Sequence, residues 1–211
     1  MKQIIDIENW KRKEHYRFFK DFTEPFFGIT ANLDCTKAYR RAKEKNVSFF
    51  LYYMHKSLLV VNAIEEFKYR TESNGDVAYY DKIHGSTTTM NANEMFAFAF
   101  LRYTDNFEEF YKQASHEIAH VKTLTTMNLS EDNGRPDVIH YSTIPWVSFT
   151  GLSHDRNLAV PDSIPKLTFG KYFKEGDKLL LPLYVNVHHG MMDGYHAGKY
   201  FEVFQKFLDE E

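Results

Sequence analysis

The densest group of reactive side chains in the chain is Asn186-Val187-His188-His189-Gly190-Met191-Met192-Asp193-Gly194-Tyr195-His196. A histidine can act as a general base near neutral pH, because its unperturbed pKa is about 6.5. Gly190 and Gly194 let the backbone turn sharply beside the pair. Side chains alternate along a strand, so His189 shares a face with Val187 and Val185, and His188 with Asn186 and Tyr184. Two adjacent histidines cannot enter one pocket from a regular strand, so one of them must be structural. Three chemistries compete. His189, Asp193 and His196 could converge on a metal, but no second ligand cluster accompanies them. Both histidines could simply be satisfied near the core. The fixed offset from His-His to Asp-Gly favours the third reading, a general base that works without a covalent nucleophile.

The elements that position this cluster follow from patterning. Leu179 to Val187 reads as the strand that leads into it. Tyr200, Phe201, Phe204, Phe207 and Leu208 fall at helical spacing after it, so the cluster sits at a strand-to-helix junction, where sites are commonly built. Asp6 can cap a first helix running to about Phe22, with Trp10, Glu14 and Phe18 on one face. Phe27, Ile29, Ala31 and Leu33 alternate as a strand, and Thr36 caps a short helix ending near Asn46. Ser48 caps a helix from Phe49 to Ile64 that is apolar nearly all round and therefore buried. Phe67 to Arg70 and Asp76 to Tyr80 flank Ser73-Asn74-Gly75, a hairpin signal. Phe96, Phe98 and Phe100 share a strand face, Asn106 to about Leu124 is a helix, and Val138 to Thr150 is a strand broken at Pro145. Leu167 to Tyr172 is a further strand, joined to the one before the cluster by a turn at Lys174-Glu175-Gly176-Asp177. Helices and strands interleave irregularly with hairpins among them, which predicts a mixed β-sheet with packed helices, not a regular parallel array.

Composition narrows the class. The chain has 211 residues, a net charge of −3 and 43% hydrophobic residues, the balance of a soluble globular protein. No linker or repeat divides it, so residues 1–211 are expected to form a single domain. The near-neutral charge argues against nucleic-acid binding. The longest apolar run, Met95 to Leu101, is far shorter than the roughly 20 residues of a membrane span. The N-terminus has no signal-peptide pattern, and the one cysteine, Cys35, suits a reducing compartment, so a cytoplasmic location is expected. Aromatics reach 17%, enough to line an apolar pocket as well as a core.

His188-His189-x-x-x-Asp193-Gly194-Tyr195-His196 resembles the active-site signature of the chloramphenicol acetyltransferases. The similarity extends in the same order through Trp10-Lys11-Arg12-Lys13-Glu14-His15-Tyr16, Ser142-Thr143-Ile144-Pro145-Trp146-Val147-Ser148-Phe149, Leu167-Thr168-Phe169-Gly170-Lys171-Tyr172 and Glu175-Gly176-Asp177-Lys178. The resemblance implies an α+β, two-layer fold, a mixed β-sheet with helices packed on one side. It also implies a homotrimer with active sites between subunits, His189 coming from one and much of the acceptor pocket, including Phe18 and Phe27, from its neighbour.

The implied reaction is antibiotic inactivation by acetyl-CoA-dependent acetylation of the primary hydroxyl of chloramphenicol, with no metal. His189 would take the hydroxyl proton, its other ring nitrogen held by its own backbone carbonyl. Ser142 matches the donor to the oxyanion, whereas Ser148 does not and reads as structural. Asp193 is assigned to a buried salt bridge with Arg12, a residue that composition alone would leave on a solvated helix face. If that pair is buried, Arg12→Val should cost about 3–5 kcal/mol. Thr168 matches a residue that hydrogen-bonds an ordered water near the transition state. Phe18, Phe19 and Phe27 match aromatic acceptor-pocket positions, Phe19 replacing a Tyr of some members; Asn186 replaces a common Gln, and Gly190 a Ser or Ala. These departures keep two alternatives in view, an acetyltransferase for another small hydroxylated acceptor and a non-catalytic protein that binds a hydrophobic ligand.

Overall fold

The computed structural model describes every residue except 133, 158–161 and 211. Its main sheet is built around the strand that leads to the histidine pair. Three short strands, β1 (Lys2–Ile4), β3 (Tyr69–Thr71) and β4 (Val77–Tyr80), form a separate antiparallel sheet in the order β1-β4-β3. The main sheet contains β2 (Phe26–Asp34), β5 (His84–Met90), β6 (Phe96–Leu101), β7 (Val138–Ile144), β8 (Lys166–Gly170) and β10 (Lys178–His188), in the order β2-β10-β8-β7-β5-β6. A short β9 (Phe173–Glu175) pairs with the start of β10. The β5–β7 and β7–β8 pairs are parallel and the others antiparallel, so the sheet is mixed, as the irregular interleaving predicts.

The two faces of β10 differ because its residues alternate. Leu181, Leu183, Val185 and Val187 are buried in the main core. There they meet the helices α2 (Thr36–Glu44), α3 (Phe49–Ala63), α4 (Phe107–Val121) and α5 (Gly194–Asp209). Ser57 in α3 pins this layer, its hydroxyl lying 2.7 Å from the Tyr141 hydroxyl of β7 and 2.6 Å from that of Tyr200 in α5. The other face is polar. Register places Ser142, Thr168, Tyr184 and Thr30 in one row across four strands. The next row is His140, Lys166, Asn186 and Gly28, and beyond it His188 lies opposite Phe26.

Most element boundaries agree with the sequence reading. Ser48 accepts from Leu51 N, and Asn106 caps α4 through Glu109 N. Several details differ. Asp6 caps only a single 3-10 turn at Ile7–Asn9, and α1 begins later, at Lys13–Phe19. Its buried side is therefore Arg12, Tyr16 and Phe19, with Phe18 turned outward and 64% exposed. Cys35, not Thr36, is the N-cap of α2, the Thr36 hydroxyl donating to Asp34 and accepting from Leu179 N. β5 is a central strand that the patterning did not announce, because its His-Gly-Ser-Thr-Thr-Thr-Met sequence carries no apolar alternation. Among the described residues no helix is long and apolar enough to cross a membrane.

Candidate active site

The turn after β10 is held from three sides. His189 N donates to Pro25 O at 2.7 Å, and the His188 carbonyl accepts from Met191 N and Met192 N. The side chain of His188 points into the protein, where Nδ1 accepts from Gly190 N at 3.0 Å and the ring meets Phe26 edge-on. Burial, with the positive charge of Arg156 nearby, pushes its pKa down to about 4, so it is neutral and structural. A Cβ at Gly190 would sit close, 3.0 Å from the His188 ring and 3.3 Å from Tyr16 Cα, so the Ser or Ala that the family carries here would need a small shift of its neighbours.

His189, the other member of the pair, is half-buried and faces the aromatics. Its ring stacks flat on Phe19, with centroids 4.2 Å apart and planes 8° from parallel, and Phe27 packs on it at 4.6 Å. Nδ1 is buried without a hydrogen-bond partner, which leaves Nε2 as the nitrogen open to a substrate. The expected bond from Nδ1 to the residue's own carbonyl is absent, and that carbonyl accepts from Arg12 Nη2 at 3.2 Å instead. Aromatic packing, not a backbone hydrogen bond, fixes the ring.

Arg12 closes the turn. It is buried, and it also donates through Nε to Gly190 O and through Nη1 to Asp193 Oδ2, both at 3.2 Å. A solvated helix face is thereby excluded for Arg12. Asp193 is not fully buried, with 34% of its side chain exposed, which corrects half of the expected buried pair. It caps α5 by accepting from Tyr195 N, and Oδ1 lies 2.9 Å from His196 Nδ1. His196 reaches Glu66 Oε1 at 3.3 Å with its other nitrogen. Burial raises the Asp193 pKa, but the Arg12 hydrogen bond and the charges of His196 and Arg12 outweigh it and hold the carboxyl below its ordinary value. Asp193 and His196 are thus committed to each other and to their braces, while His189 turns toward phenylalanines, and the three do not converge as metal ligands.

Ser142 and Thr168 lie elsewhere, side by side on the polar sheet face. From Tyr184, in their row, to His189 is five residues, roughly 16 Å along the strand, with about 10 Å more across two strand spacings. Within one chain they cannot share a reacting group with His189. Thr168 is completely buried and its hydroxyl lies 3.0 Å from His154 Nε2. Ser148 donates to Lys171 O at 2.7 Å and is structural, as expected. Phe18 packs on Phe19 and Phe22 and does not reach His189, whereas Phe19 and Phe27 do so in the same chain. Phe27, expected from the neighbour of the subunit that supplies His189, thus already packs on His189 of its own chain.

A cleft of about 750 Å³ opens on the helix-covered side of the sheet at the end of β7, lined by Thr143, Phe49, Trp146 and Tyr172, with Lys43, Lys122 and Lys171 at its edges, while Ser142, the residue before Thr143, belongs to the opposite, polar face. Sequence reasoning assigned no role to these lysines. The available signal was Trp146, 66% exposed although Trp usually buries its ring. His154 was missed as well, because it stands in an irregular segment with no motif around it.

The model of the chloramphenicol acetyltransferase family matches residues 2–205. The chain belongs to the chloramphenicol acetyltransferase family. A chloramphenicol acetyltransferase of Clostridium perfringens is 32% identical over 96% of this chain and 93% of that protein. One of Escherichia coli is 31% identical over 98% and 93%. A solved chloramphenicol acetyltransferase superposes with a TM-score of 0.91 at 32% identity, covering 99% of this chain and all of the other. The cubic core of the pyruvate dehydrogenase multienzyme complex shares the fold at a TM-score of 0.69 and 14% identity. The chain is accordingly an acetyltransferase-family enzyme with the two-layer α+β fold that the resemblance implies.

Proposed function

We infer that this protein transfers the acetyl group of acetyl-CoA to the primary hydroxyl of chloramphenicol, and that residues 1–211 are one domain working within a homotrimer. The observation that carries the reading is the His189 ring, clamped between Phe19 and Phe27 with only Nε2 free for a substrate. Nε2 takes the proton of the acceptor hydroxyl, whose oxygen attacks the thioester carbonyl. The Ser142 hydroxyl donates to the oxyanion, a contact worth about 3 kcal/mol in such sites. Collapse of the adduct breaks the carbon–sulfur bond, and the imidazolium returns its proton to the departing thiolate.

The cleft at the ends of β7 and β8 has room for the donor. Its aromatic walls suit a pantetheine arm and an adenine ring, and its lysines suit phosphates. The wide separation of His189 from Ser142 and Thr168 supports a site assembled from two copies, with the base and its two phenylalanines from one and the oxyanion donor from the other. The buried free thiol of Cys35 fits a cytoplasmic setting.

The test is release of CoA thiol by purified protein with acetyl-CoA, with and without chloramphenicol. Drug-dependent release that drops about 10²- to 10⁴-fold in His189→Ala is the expected result. Release with other alcohols but not with the drug would move the acceptor and keep the chemistry. Drug binding without any turnover would favour a ligand-binding protein.

A further inference from the structure

The segment after β7 lays every second side chain inward: Leu152, His154 and Arg156 are half-buried, while Gly151, Ser153, Asp155 and Asn157 are exposed. His154 thereby covers the row of the polar sheet face that holds Ser142, Thr168 and Tyr184. One edge of its ring is fixed, with Nε2 at 3.0 Å from the Thr168 hydroxyl, and its plane leans on the Tyr184 ring at 5.7 Å. Tyr184 is itself held, accepting at its hydroxyl from Asn186 Nδ2 at 2.9 Å. Gly28 makes room for it, since a Cβ there would fall 2.2 Å from the Tyr184 ring. The imidazole is therefore set in place by three strands, one of them adjacent to the strand of Ser142.

Accessibility then decides which group a substrate meets. Thr168 is wholly buried, and its hydroxyl is engaged by the ring. His154 retains part of its surface, and Nδ1 has no hydrogen-bond partner among the described residues. Burial, with Lys166 and Arg156 nearby and against the pull of Asp155, holds the ring below its ordinary pKa and hence neutral near pH 7. A neutral, oriented imidazole with one free nitrogen can give or take a hydrogen bond, whichever the ligand offers.

We propose that His154 is a specificity-determining residue of the acceptor site, its free nitrogen hydrogen-bonding a second polar group of an alcohol whose hydroxyl is being acetylated. The proposal rests on the acetyl-transfer reading above. It selects, among small hydroxylated acceptors, those that carry a further hydroxyl, amide or nitro group near the reacting one, and it disfavours purely hydrocarbon alcohols.

The test compares wild type, His154→Leu and His154→Gln, with chloramphenicol and acetyl-CoA varied separately. His154→Leu should raise the KM for chloramphenicol about tenfold, the weight of one good hydrogen bond, and leave the KM for acetyl-CoA unchanged. His154→Gln, which keeps a hydrogen-bonding end at similar reach, should recover most of the loss. An unchanged chloramphenicol KM in His154→Leu overturns the proposal, and so does an equal rise in both KM values, which would mark a purely structural role. Should His154→Leu fail to fold, the glutamine variant and the imidazole NMR resonances of the wild type decide. The His154 signals should shift on titration with chloramphenicol, and signals that stay fixed up to millimolar drug overturn the proposal. Absence of turnover in the wild type would sink the acetyl-transfer reading instead, and the same NMR titration then still decides whether His154 faces the acceptor.

Discussion

Two histidines stand side by side in the chain and have opposite chemistry because strand alternation sends them to opposite environments. His188 is 4% exposed, accepts from Gly190 N, and has its pKa held near 4 by burial and by Arg156. The unfolded chain, with an ordinary value of about 6.5, binds the proton more readily, so stability contributed by neutral His188 is full above about pH 6.5 and is lost as pH falls toward 4. The loss over that window is on the order of 3 kcal/mol. Other buried histidines, including His84 and His55, tilt the same way, so the measurement is a difference: His188→Gln should show a shallower decline of melting temperature between pH 6.5 and 4 than wild type. Parallel declines would mean that His188 is not the buried neutral group it is described as. That one of the pair had to be structural was legible from period-two alternation alone. How the His189 ring is held was not, because it depends on Phe19, 170 residues away in the chain, stacking on it.

At the scale of elements, the turn that carries His189 is a junction between β10 and α5 tied down by the residue before α1. Arg12 bonds two carbonyls of the turn and the cap of α5, so its removal orphans buried acceptors as well as a carboxylate. The carboxylate keeps a third of its side chain in solvent and retains His196, which lowers the expected cost from that of a fully buried pair. Arg12→Val should therefore destabilise by about 1–3 kcal/mol, with a fall in kcat because the carbonyl of His189 loses its anchor. A drop in melting temperature with unchanged kcat would separate the brace from the base. Gly28 is a second element-level test. The Tyr184 ring fills the place of its missing Cβ, so Gly28→Ala must displace a buried aromatic and should cost about 1–3 kcal/mol. An unchanged denaturation midpoint would show that the ring has room to move. Strands with apolar alternation, such as β2 and β10, were legible, and β5 was not. Its buried Ser86 and Thr87 sit on an interior strand, between β7 and β6, where pairing on both edges satisfies the backbone and makes up for weak patterning. The two-layer fold was read correctly even so, since the resemblance and the irregular order of elements do not depend on any one strand.

For the whole molecule, the decisive fact is that the two halves of the proposed machinery do not meet within one chain. His189, Phe19 and Phe27 lie at one end of β10, and Ser142 and Thr168 lie on neighbouring strands several residues back along the sheet. Sequence spacing could not reveal this, because the distance is set by strand register. If each site takes its base from one copy and its oxyanion donor from the next, two disabled variants can complement each other. Neither His189→Ala nor Ser142→Ala alone should be active beyond a residual level. In randomly mixed assemblies of the two, any given interface has a one-in-four chance of joining an intact His189 to an intact Ser142. Co-expressed and purified together, the mixture should recover about a quarter of wild-type thiol release, as a symmetric ring of identical interfaces requires. Mixing the separately purified variants, without exchange of subunits, should recover none. Recovery no greater than the sum of the two residual activities would place both groups in the same chain's site and break the two-copy assembly.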